Sequence, residues 1–561
     1  MTMFAGIKSL NGTEVLPSFR DEINKLMNEY CNNENIQQFS YPMCQLWSYD
    51  IGAFAAQVSE KSETNLTIIA GEPIFKERNN TSGVVSDIAL INKANNGDAL
   101  SLLLQGARGT FAGLLYNPED NELNVFTDKS GIRPVYYFSI GAMFVFCSSL
   151  QLINKLSFSP KEIDKEALNE HMAMGYCFSN KTLRKNIFRI DAAEILTANS
   201  GMVSNCFYWN WDNIGETAEA EIDKVEELYN IFTESVECRL KSETEQFAFL
   251  SGGLDSRVIT ASVNEKCSSL HTFNYGTKDS QDSEFAKLLA DKVNYEHTNN
   301  VLSTLKYQKW NKLISQSISQ KKGENVKRFV WSGDGGSVGL GGVYMENNIV
   351  DSLESNDFEN AALSFMNNQK VELLGSYINS EYQFLNNNNL QHSIIKELRL
   401  IKAEGARLIY LFLMRNDQKR HLDNHYETIN EHKIELQLPF FDSVFLEKIL
   451  SFNIKRLMRH SLYMEWFNFF PIKYRETPWQ TYPNHEVCPI PFKKLQTQWE
   501  KRDNFSNRWR DFRFFLGLPK TSLSYDVYNR KKVTVAMFLH LIGVKKAGYV
   551  IDSLAKVDSI S

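Results

Sequence analysis

Residues 247–257 read FAFLSGGLDSR, and this stretch decides the fold class of the chain. A short apolar run at 247–251 leads into a glycine pair, which is followed by a helical pattern. A second apolar run, HTFNYG at 271–276, comes next and precedes another helical pattern. Alternation of strand, turn, helix and strand predicts a doubly wound α/β domain with a parallel sheet.

The turn between strand and helix has the chemistry of an anion site. Gly252 and Gly253 let the backbone approach a ligand, while Ser251 and Ser256 offer hydroxyl groups. A helix N-terminus adds free N–H groups, so the loop suits pyrophosphate. Asp255 would repel phosphate unless it holds Mg²⁺, which bridges phosphate oxygens. The stretch lacks the lysine of the GxxxxGK[ST] loop, and the alternative interpretation is a plain Gly-Gly turn capped by Asp and Ser.

Composition limits the remaining classes. The 561 residues predict two to four domains, and 43% hydrophobic with 23% charged residues is ordinary globular composition. A net charge of -6 argues against nucleic acid as a partner. Eight scattered cysteines without a CxxC pair indicate reduced thiols. With no secretory signal and no apolar run long enough to span a bilayer, we expect a cytoplasmic protein without membrane contact.

The two halves of the chain differ in pattern. Residues 1–215 are strand-rich, with apolar runs at 66–71, 123–128, 134–140 and 142–149 and a hairpin turn at 117–121. An amphipathic helical stretch at 219–240 follows, and the sequence from about 355 onward is mostly helical. We therefore divide the chain into domains 1–215 and 216–561.

The SGGLDS stretch resembles the loop of the ATP pyrophosphatase superfamily, whose enzymes cleave ATP between its α- and β-phosphates. Over residues 4–490 the motif order is similar to that of asparagine synthetase and its relatives, among them β-lactam synthetases and lasso-peptide cyclases. The matching motifs are GTFA at 109–112, DKSGIRPVYY at 128–137, SGGLDS at 251–256, SGDGG at 332–336 and PFFD at 439–442.

This resemblance implies a fold and a set of roles. It implies an N-terminal αββα domain of the class II glutamine amidotransferase type and a C-terminal ATP pyrophosphatase domain with a helical end. It implies ATP and Mg²⁺ as cofactors, with Asp255 as the metal ligand. The implied nucleotide-binding residues are Leu250, Ser251, Gly252, Gly253, Asp255, Ser256, Phe273 and Gly333, and the implied catalytic residues are Asp334 with Lys473 or Arg475.

The N-terminal domain departs from the family at three glutaminase positions. The family's Cys-Gly-Ile start appears as FAGI at 4–7, so the nucleophilic cysteine is missing. The family's glutamine-binding Asn-Gly-Glu appears as Ala70-Gly71-Glu72, and Arg108 stands where the family has an aspartate before GxFA. We expect no glutaminase activity. If Met1 is removed, Thr2 is an alternative N-terminal nucleophile.

The synthetase half departs as well. The family's SGEGxDE has Asp334 at its first carboxylate, and its magnesium-binding aspartate is replaced by Ser337. Asp279 or Asp282 could compensate. A family lysine near the active site corresponds to Thr477, which leaves Lys473 or Arg475 as the cation.

The favoured function is AMP-forming amide synthesis through an acyl-adenylate, from a small-molecule or peptide carboxylate and an amine not taken from glutamine in cis. The amine is ammonia, a separate amine, or one in the same molecule as the acid. Two alternatives stay open: a nucleotide-binding pseudoenzyme or scaffold, and a glutamine- or ammonia-dependent asparagine synthetase. Transfer-RNA thiolation or lysidine formation fits the acidic charge poorly. A homodimer is left open. The i,i+4 pair His421 and His425 lacks an HExxH context, so we expect a helix face and not a metal site.

Overall fold

The computed structural model describes residues 2–31, 36–53, 59–62, 64–76, 83–94, 96–217, 221–240, 245–302, 309–322, 329–371, 373, 375–497, 504–518, 526–551 and 554. The chain forms two compact units. The first comprises Met1–Pro160, Phe188–Val343 and Leu413–Thr497, and the second Lys161–Ile187, Tyr344–Phe412 and Gln498–Ser561. This division differs from the one predicted at residue 215, which stays a prediction.

Two six-stranded antiparallel sheets occupy the N-terminal part of the first unit. Their strands are β1 (Thr2–Ser9), β2 (Ile36–Tyr41), β3 (Cys44–Asp50), β4 (Ser59–Lys61), β5 (Leu66–Gly71), β6 (Phe111–Asn117), β7 (Glu122–Thr127), β8 (Tyr136–Ile140), β9 (Met143–Cys147), β10 (Phe188–Arg189), β11 (Glu194–Ala198) and β12 (Val203–Phe207). One sheet has the order β10-β8-β9-β1-β3-β2, and the other β12-β11-β7-β6-β5-β4. The predicted hairpin is confirmed, since Asn117 pairs with Glu122 across β6 and β7.

A third, five-stranded sheet is entirely parallel. Its strands are β13 (Gln246–Phe249), β14 (Leu270–Thr277), β15 (Glu296–Leu302), β16 (Phe329–Trp331) and β17 (Glu435–Gln437). They run in the order β15-β14-β13-β16-β17, so the chain leaves β13 first to one side and later to the other. The carboxyl end of β13 is therefore a topological switch point, the place where open α/β sheets bind ligands.

The α-helices, in chain order, are α1 (Pro17–Tyr30), α2 (Val84–Asn92), α3 (Gly97–Leu104), α4 (Leu150–Lys155), α5 (Lys165–Met174), α6 (Glu221–Glu237), α7 (Leu254–Asn264), α8 (Gln281–Val293), α9 (Trp310–Lys322), α10 (Gly336–Gly339), α11 (Asn347–Glu354), α12 (Phe358–Asn368), α13 (Asn387–Leu400), α14 (Gly405–Asn416), α15 (Lys419–His432), α16 (Ser443–Leu450), α17 (Ser461–Phe467), α18 (Ile472–Arg475), α19 (Phe505–Gly517) and α20 (Arg530–Leu541). Short 3₁₀ turns lie at Trp211–Asn213, Gly375–Tyr377, Ser380–Tyr382, Pro439–Phe441 and Ile454–His460.

Strand alternation explains the layers of the N-terminal part. Ile68 belongs to the core between the two sheets, whereas its neighbour Ile69 points to the opposite face. There it packs with Ile88 of α2 and Leu100 of α3, while α1 and α4 contact the other sheet. The successive side chains of β5 thus serve two cores, as the period of a strand requires. The result is the predicted αββα arrangement.

The second unit is helical in the residues that the structure describes. It holds α5, α11, α12, α13, α19, α20 and most of α14. The helical pattern predicted from about residue 355 onward is thereby confirmed. Among the described residues, no helix combines the length and the apolar character needed to cross a membrane.

Candidate functional site

The SGGLDS loop connects β13 to α7 at the switch point of the parallel sheet. Gly253 caps the first turn of α7 in an extended conformation, and Asp255 lies in that turn. A Cβ on Gly252 would lie 2.7 Å from the carbonyl oxygen of Gln281, so only glycine fits the close approach of α8. The predicted strand, turn and helix are therefore all present.

Hydrogen bonds within the loop fix its shape. The hydroxyl oxygens of Ser251 and Ser256 lie 2.9 Å apart, and Ser256 Oγ also accepts from the Ser251 N–H at 2.9 Å. The Gly253 N–H donates to Ser251 Oγ at 3.2 Å, and the Gly252 N–H donates to Asp282 Oδ1 at 3.3 Å. Two of the N–H groups that would bind phosphate are thus engaged by the protein itself.

Asp255 is a buried carboxylate at the N-terminus of α7. Burial raises its pKa to about 6, while the nearby hydroxyl groups of Ser337 and Tyr463 act in the opposite direction. The Ser337 hydroxyl donates to Oδ2, while Oδ1 is buried without a hydrogen-bond donor among the described residues. Asp255 thus offers one carboxylate oxygen to a ligand.

The segment after β16 packs directly over Asp255. A Cβ on Gly336 would lie 2.5 Å from Asp255 Oδ1, and one on Gly333 would lie 2.7 Å from the Ser256 nitrogen. Asp334 stands between these glycines, where the Ser332 hydroxyl donates to its Oδ2 at 2.6 Å. It is near enough to contribute to the raised pKa of Asp255. The structure therefore brings Gly333, Asp334 and Ser337 to the loop.

Two of the predicted nucleotide-binding residues lie side by side, since Leu250 directly follows β13 and Phe273 belongs to the adjacent β14. The Leu250 N–H donates to the Phe273 carbonyl at 2.8 Å, and both side chains are buried. The ring of Phe273 stacks on Phe247 with centroids 5.8 Å apart. Their role in nucleotide binding stays a prediction.

The predicted cations are not brought to the loop. Lys473 Nζ lies 2.7 Å from Glu265, which caps the C-terminal end of α7, whereas Asp255 lies in its first turn. At a rise of about 1.5 Å per residue these ends are roughly 15 Å apart. Arg475 donates through Nε to the Phe470 carbonyl at 2.8 Å. Neither contact involves the SGGLDS loop.

Arg257, the residue after the motif, has a role that the sequence did not suggest. Its fully buried guanidinium donates to the carbonyls of Thr477 and Pro478, each at 2.7 Å, and to that of Tyr474 at 3.3 Å. Burial lowers the pKa of Arg257 to about 10. The helix that starts at the loop therefore positions the segment in which the family carries its lysine.

The positions that correspond to the family's glutaminase residues are embedded in the N-terminal sheets. Phe4 is fully buried in the core of β1, and its N–H donates to Ser148 Oγ at 3.0 Å. The strand begins at Thr2, whose side chain lies outside the described residues. Arg133 packs on Gly71, and Glu72 accepts from Gln437 Nε2 at 3.0 Å.

Arg108, at the position of the family's aspartate, points toward the end of the parallel sheet. Its Nε donates to both oxygens of Asp442 at 2.9 and 3.1 Å, and its Nη1 contacts Glu234 at 2.6 Å. Arg239 contacts Asp442 as well, at 2.9 Å. Burial disfavours the charge of Arg108, but Asp442 raises its pKa. The PFFD motif thus supplies an ion pair that joins the N-terminal sheets to the synthetase part.

The other candidate residues differ in whether they contact the SGGLDS loop. Asp282 contacts the loop through Gly252, whereas Asp279 is exposed. The buried His425 has its Nδ1 2.6 Å from Asn311 Oδ1, in a core contact. The side chain of His421 lies outside the described residues.

Comparisons with known proteins agree with this arrangement. A family model for asparagine synthase matches residues 227–312, and one for a glutamine amidotransferase domain matches residues 80–209. A putative glutamine-hydrolyzing asparagine synthetase 2 of Methanocaldococcus jannaschii is 25% identical over 255 residues, 42% of this chain and 49% of the relative. Glutamine-hydrolyzing asparagine synthetase 1 of Bacillus subtilis is 30% identical over 204 residues, 36% of this chain and 32% of the relative.

The chain thus spans about half or less of the length of these relatives. A solved glutamine phosphoribosylpyrophosphate amidotransferase from B. subtilis, complexed with ADP and GMP, is 11% identical. The alignment covers 60% of this chain and 77% of the amidotransferase chain, with a TM-score of 0.25.

An αββα sandwich joined to a parallel sheet with an SGGLDS loop defines the class, an amidotransferase-type domain followed by an ATP pyrophosphatase domain. Both family models and the curated relatives point to one family within that class. Over the residues that these comparisons cover, the chain is similar to members of the asparagine synthetase family.

Proposed function

We propose that this chain is a ligase that forms a carbon–nitrogen bond in an ATP-dependent, AMP-forming reaction. The observation that carries the proposal is Asp255, a buried carboxylate whose Oδ1 has no hydrogen-bond donor among the described residues, held in the first turn of a helix at the switch point of the sheet. Such a position brings helix N–H groups and a metal-binding oxygen to one place. The names of the relatives, glutamine-hydrolyzing asparagine synthetases, support the reaction class.

The residues around Asp255 fit ATP with Mg²⁺. Oxygen ligands suit this hard cation, and Asp255 would supply one carboxylate, with phosphate and water oxygens in place of the family's aspartate at Ser337. When bound, Mg²⁺ would offset the negative charge of the phosphates. Ser251 and Ser256, with the N–H groups of Gly252 and Gly253, would bind the pyrophosphate portion. Phosphate would then accept the hydrogen bonds that the Gly252 and Gly253 N–H groups now donate to Asp282 and Ser251.

The chemistry proceeds in two steps. An oxygen of the substrate carboxylate attacks the α-phosphorus, the bond to the β-phosphate breaks, and pyrophosphate leaves. The amine nitrogen then attacks the acyl carbon, AMP leaves, and the nitrogen gives up a proton. Asp334, half-buried beside the loop, is placed to orient the amine and accept this proton.

The nitrogen source is proposed to be something other than glutamine bound in the N-terminal domain. Phe4 and Ala5 lie inside a buried strand, where the family places its cysteine, and Arg108 forms an ion pair with Asp442. Both changes remove groups that glutamine hydrolysis requires. Ammonia, a separate amine and an amine within the acid substrate all satisfy this reasoning.

A second candidate is a nucleotide-binding protein without turnover. It is favoured by Ser337, whose hydroxyl donates to Asp255 where the family has a metal ligand, and by the placement of Lys473 beside Glu265. Such a protein would bind ATP and leave the α–β bond intact.

Trapping with hydroxylamine separates these candidates. The full chain is incubated with ATP, Mg²⁺ and a panel of carboxylic acids, and hydroxamate and AMP are measured. We expect equal amounts of both with one acid, and ATP binding without AMP would instead support the second candidate. A parallel reaction with glutamine should release no glutamate, and release would contradict the proposed nitrogen source. Asp334→Asn should lower amide formation with the true amine, whereas the exposed Asp279→Asn serves as the matched control.

A further inference from the structure

A histidine and two glutamates meet at the edge of the parallel sheet opposite to the SGGLDS loop. Glu245 directly precedes β13, His271 is the second residue of β14, and Glu296 opens β15. One ligand atom from each lies within 4.8 Å of the other two. Because parallel strands begin at a common edge, this cluster is remote from Asp255, which follows the other end of β13.

The strand register accounts for the meeting of these side chains. His271 pairs with Phe247 on one side and with Glu296 on the other. Phe247, His271 and Glu296 therefore lie in one row across the sheet. Glu245 precedes Phe247 by two positions and shares its face, since side chains alternate along a strand. The backbone therefore fixes the cluster, and no unusual side-chain conformation is needed to form it.

The imidazole of His271 is held in one orientation. It is 2% exposed, its Nε2 lies 2.9 Å from Thr298 Oγ1, and its ring centroid is 4.7 Å from that of Phe273. With Nε2 bonded to the hydroxyl, Nδ1 faces Glu296 Oε2 at 3.4 Å. A histidine whose far nitrogen bonds a second group while the near nitrogen faces carboxylates is the arrangement found at metal sites.

We propose that Glu245, His271 and Glu296 bind a divalent first-row transition ion, represented by Zn²⁺. The 3.4 Å separation of Nδ1 and Oε2 matches the edge of a tetrahedron with metal–ligand bonds of about 2.0–2.1 Å. An imidazole ligand favours such ions over Mg²⁺ and Ca²⁺. The Glu296 side chain is 48% exposed, which gives the ion a path from solvent and leaves room for water as fourth ligand.

The bound ion would tie three neighbouring strands together at their start. It would also neutralise two carboxylates that otherwise repel each other. The site is therefore expected to stabilise the parallel sheet and takes no part in the proposed adenylation.

Metal titration of the full chain tests this proposal. After chelator treatment and dialysis, Zn²⁺ affinity is measured by competition with a chromophoric chelator, and Co²⁺ binding by visible absorption. We expect one tight site, tetrahedral Co²⁺ bands without a sulfur charge-transfer band, and a rise in the unfolding temperature on adding Zn²⁺. Glu296→Gln and Glu245→Gln should each weaken binding by tenfold or more.

The matched control is Asp291→Asn, an exposed carboxylate that acts electrostatically on His297 beside the cluster. It should leave Zn²⁺ affinity unchanged. The proposal is overturned if the wild-type chain shows no saturable binding, if the Co²⁺ spectrum shows thiolate ligands, or if Asp291→Asn weakens binding as much as Glu296→Gln. In each case His271 and Glu296 contact each other without holding an ion.

Discussion

Replacing Arg108 by methionine tests whether this position now joins two parts of the first unit. The guanidinium donates twice to Asp442, which is fully buried, and once to Glu234, which is 60% exposed. Methionine keeps an unbranched apolar side chain and removes the charge and every side-chain donor. We expect a less stable protein with an unchanged fold.

The size of the loss follows from what Asp442 retains. Breaking a buried ion pair completely costs about 3–5 kcal/mol, and an exposed pair such as that with Glu234 contributes about 0–1 kcal/mol. Asp442 keeps Arg239 at 2.9 Å and two N–H groups in the first turn of α16. We therefore expect Arg108→Met to lower the free energy of unfolding by roughly 2–3 kcal/mol.

Urea unfolding followed by tryptophan fluorescence measures this loss. Arg20→Met is the control, because among the described residues Arg20 pairs with its exposed neighbour Asp21, and it should change stability by less than about 0.5 kcal/mol. A double-mutant cycle with Asp442→Asn should show a coupling energy above about 1 kcal/mol. Equal stability of Arg108→Met and Arg20→Met, or zero coupling, would refute the reasoning.

Two further predictions concern Gly336 and the histidine pair His460 and His485. Gly336→Ala puts a methyl group 2.5 Å from Asp255 Oδ1 and should weaken Mg·ATP binding at least tenfold in calorimetry, whereas Gly215→Ala, with nothing within 4 Å, should leave affinity unchanged. Burial lowers the pKa of His460 to about 3 and that of His485 to about 4, and their Nδ1 atoms lie 2.7 Å apart. Above an unfolded pKa of about 6.5 both states hold neutral imidazoles, and the protein keeps its full stability. As the pH falls toward 4, the unfolded chain binds protons that the folded chain does not, so stability is lost. From pH 7 to pH 5 we expect a loss of about 2 kcal/mol per imidazole. Thermal unfolding at both pH values should therefore show a smaller difference in His485→Asn, and an unchanged difference would contradict the assignment.

Local sequence signals predicted the elements around the loop well. The run at 66–71 is β5, the turn at 117–121 closes a hairpin, and the stretch at 219–240 contains α6. Each of these depends on neighbours in sequence, namely alternation, turn residues and helical spacing. The SGGLDS loop was predictable for the same reason, because its glycines, hydroxyls and helix start are contiguous.

Contacts between distant residues were not predictable in this way. Arg108 was identified only as a lost aspartate, and its bond to Asp442, 334 positions away, depends on the packing of two sheets. Lys473 or Arg475 was predicted to be the catalytic cation, yet α18 places Lys473 beside Glu265. The substitution at Ser337 was noted as a missing carboxylate, and its hydroxyl in fact contacts Asp255. In each case the sequence identified the residue, whereas the residue that it contacts depends on the tertiary structure.

Isotope exchange between ATP and pyrophosphate tests the adenylation step most directly. The wild-type chain, Asp255→Asn and the control Asp279→Asn are compared with Mg²⁺ over a panel of amino acids and other carboxylic acids. We predict exchange that depends on one acid, falls at least a hundredfold in Asp255→Asn and persists in Asp279→Asn. Exchange that survives in Asp255→Asn, or its absence with every acid while the wild-type chain binds Mg·ATP, would contradict the proposed reaction.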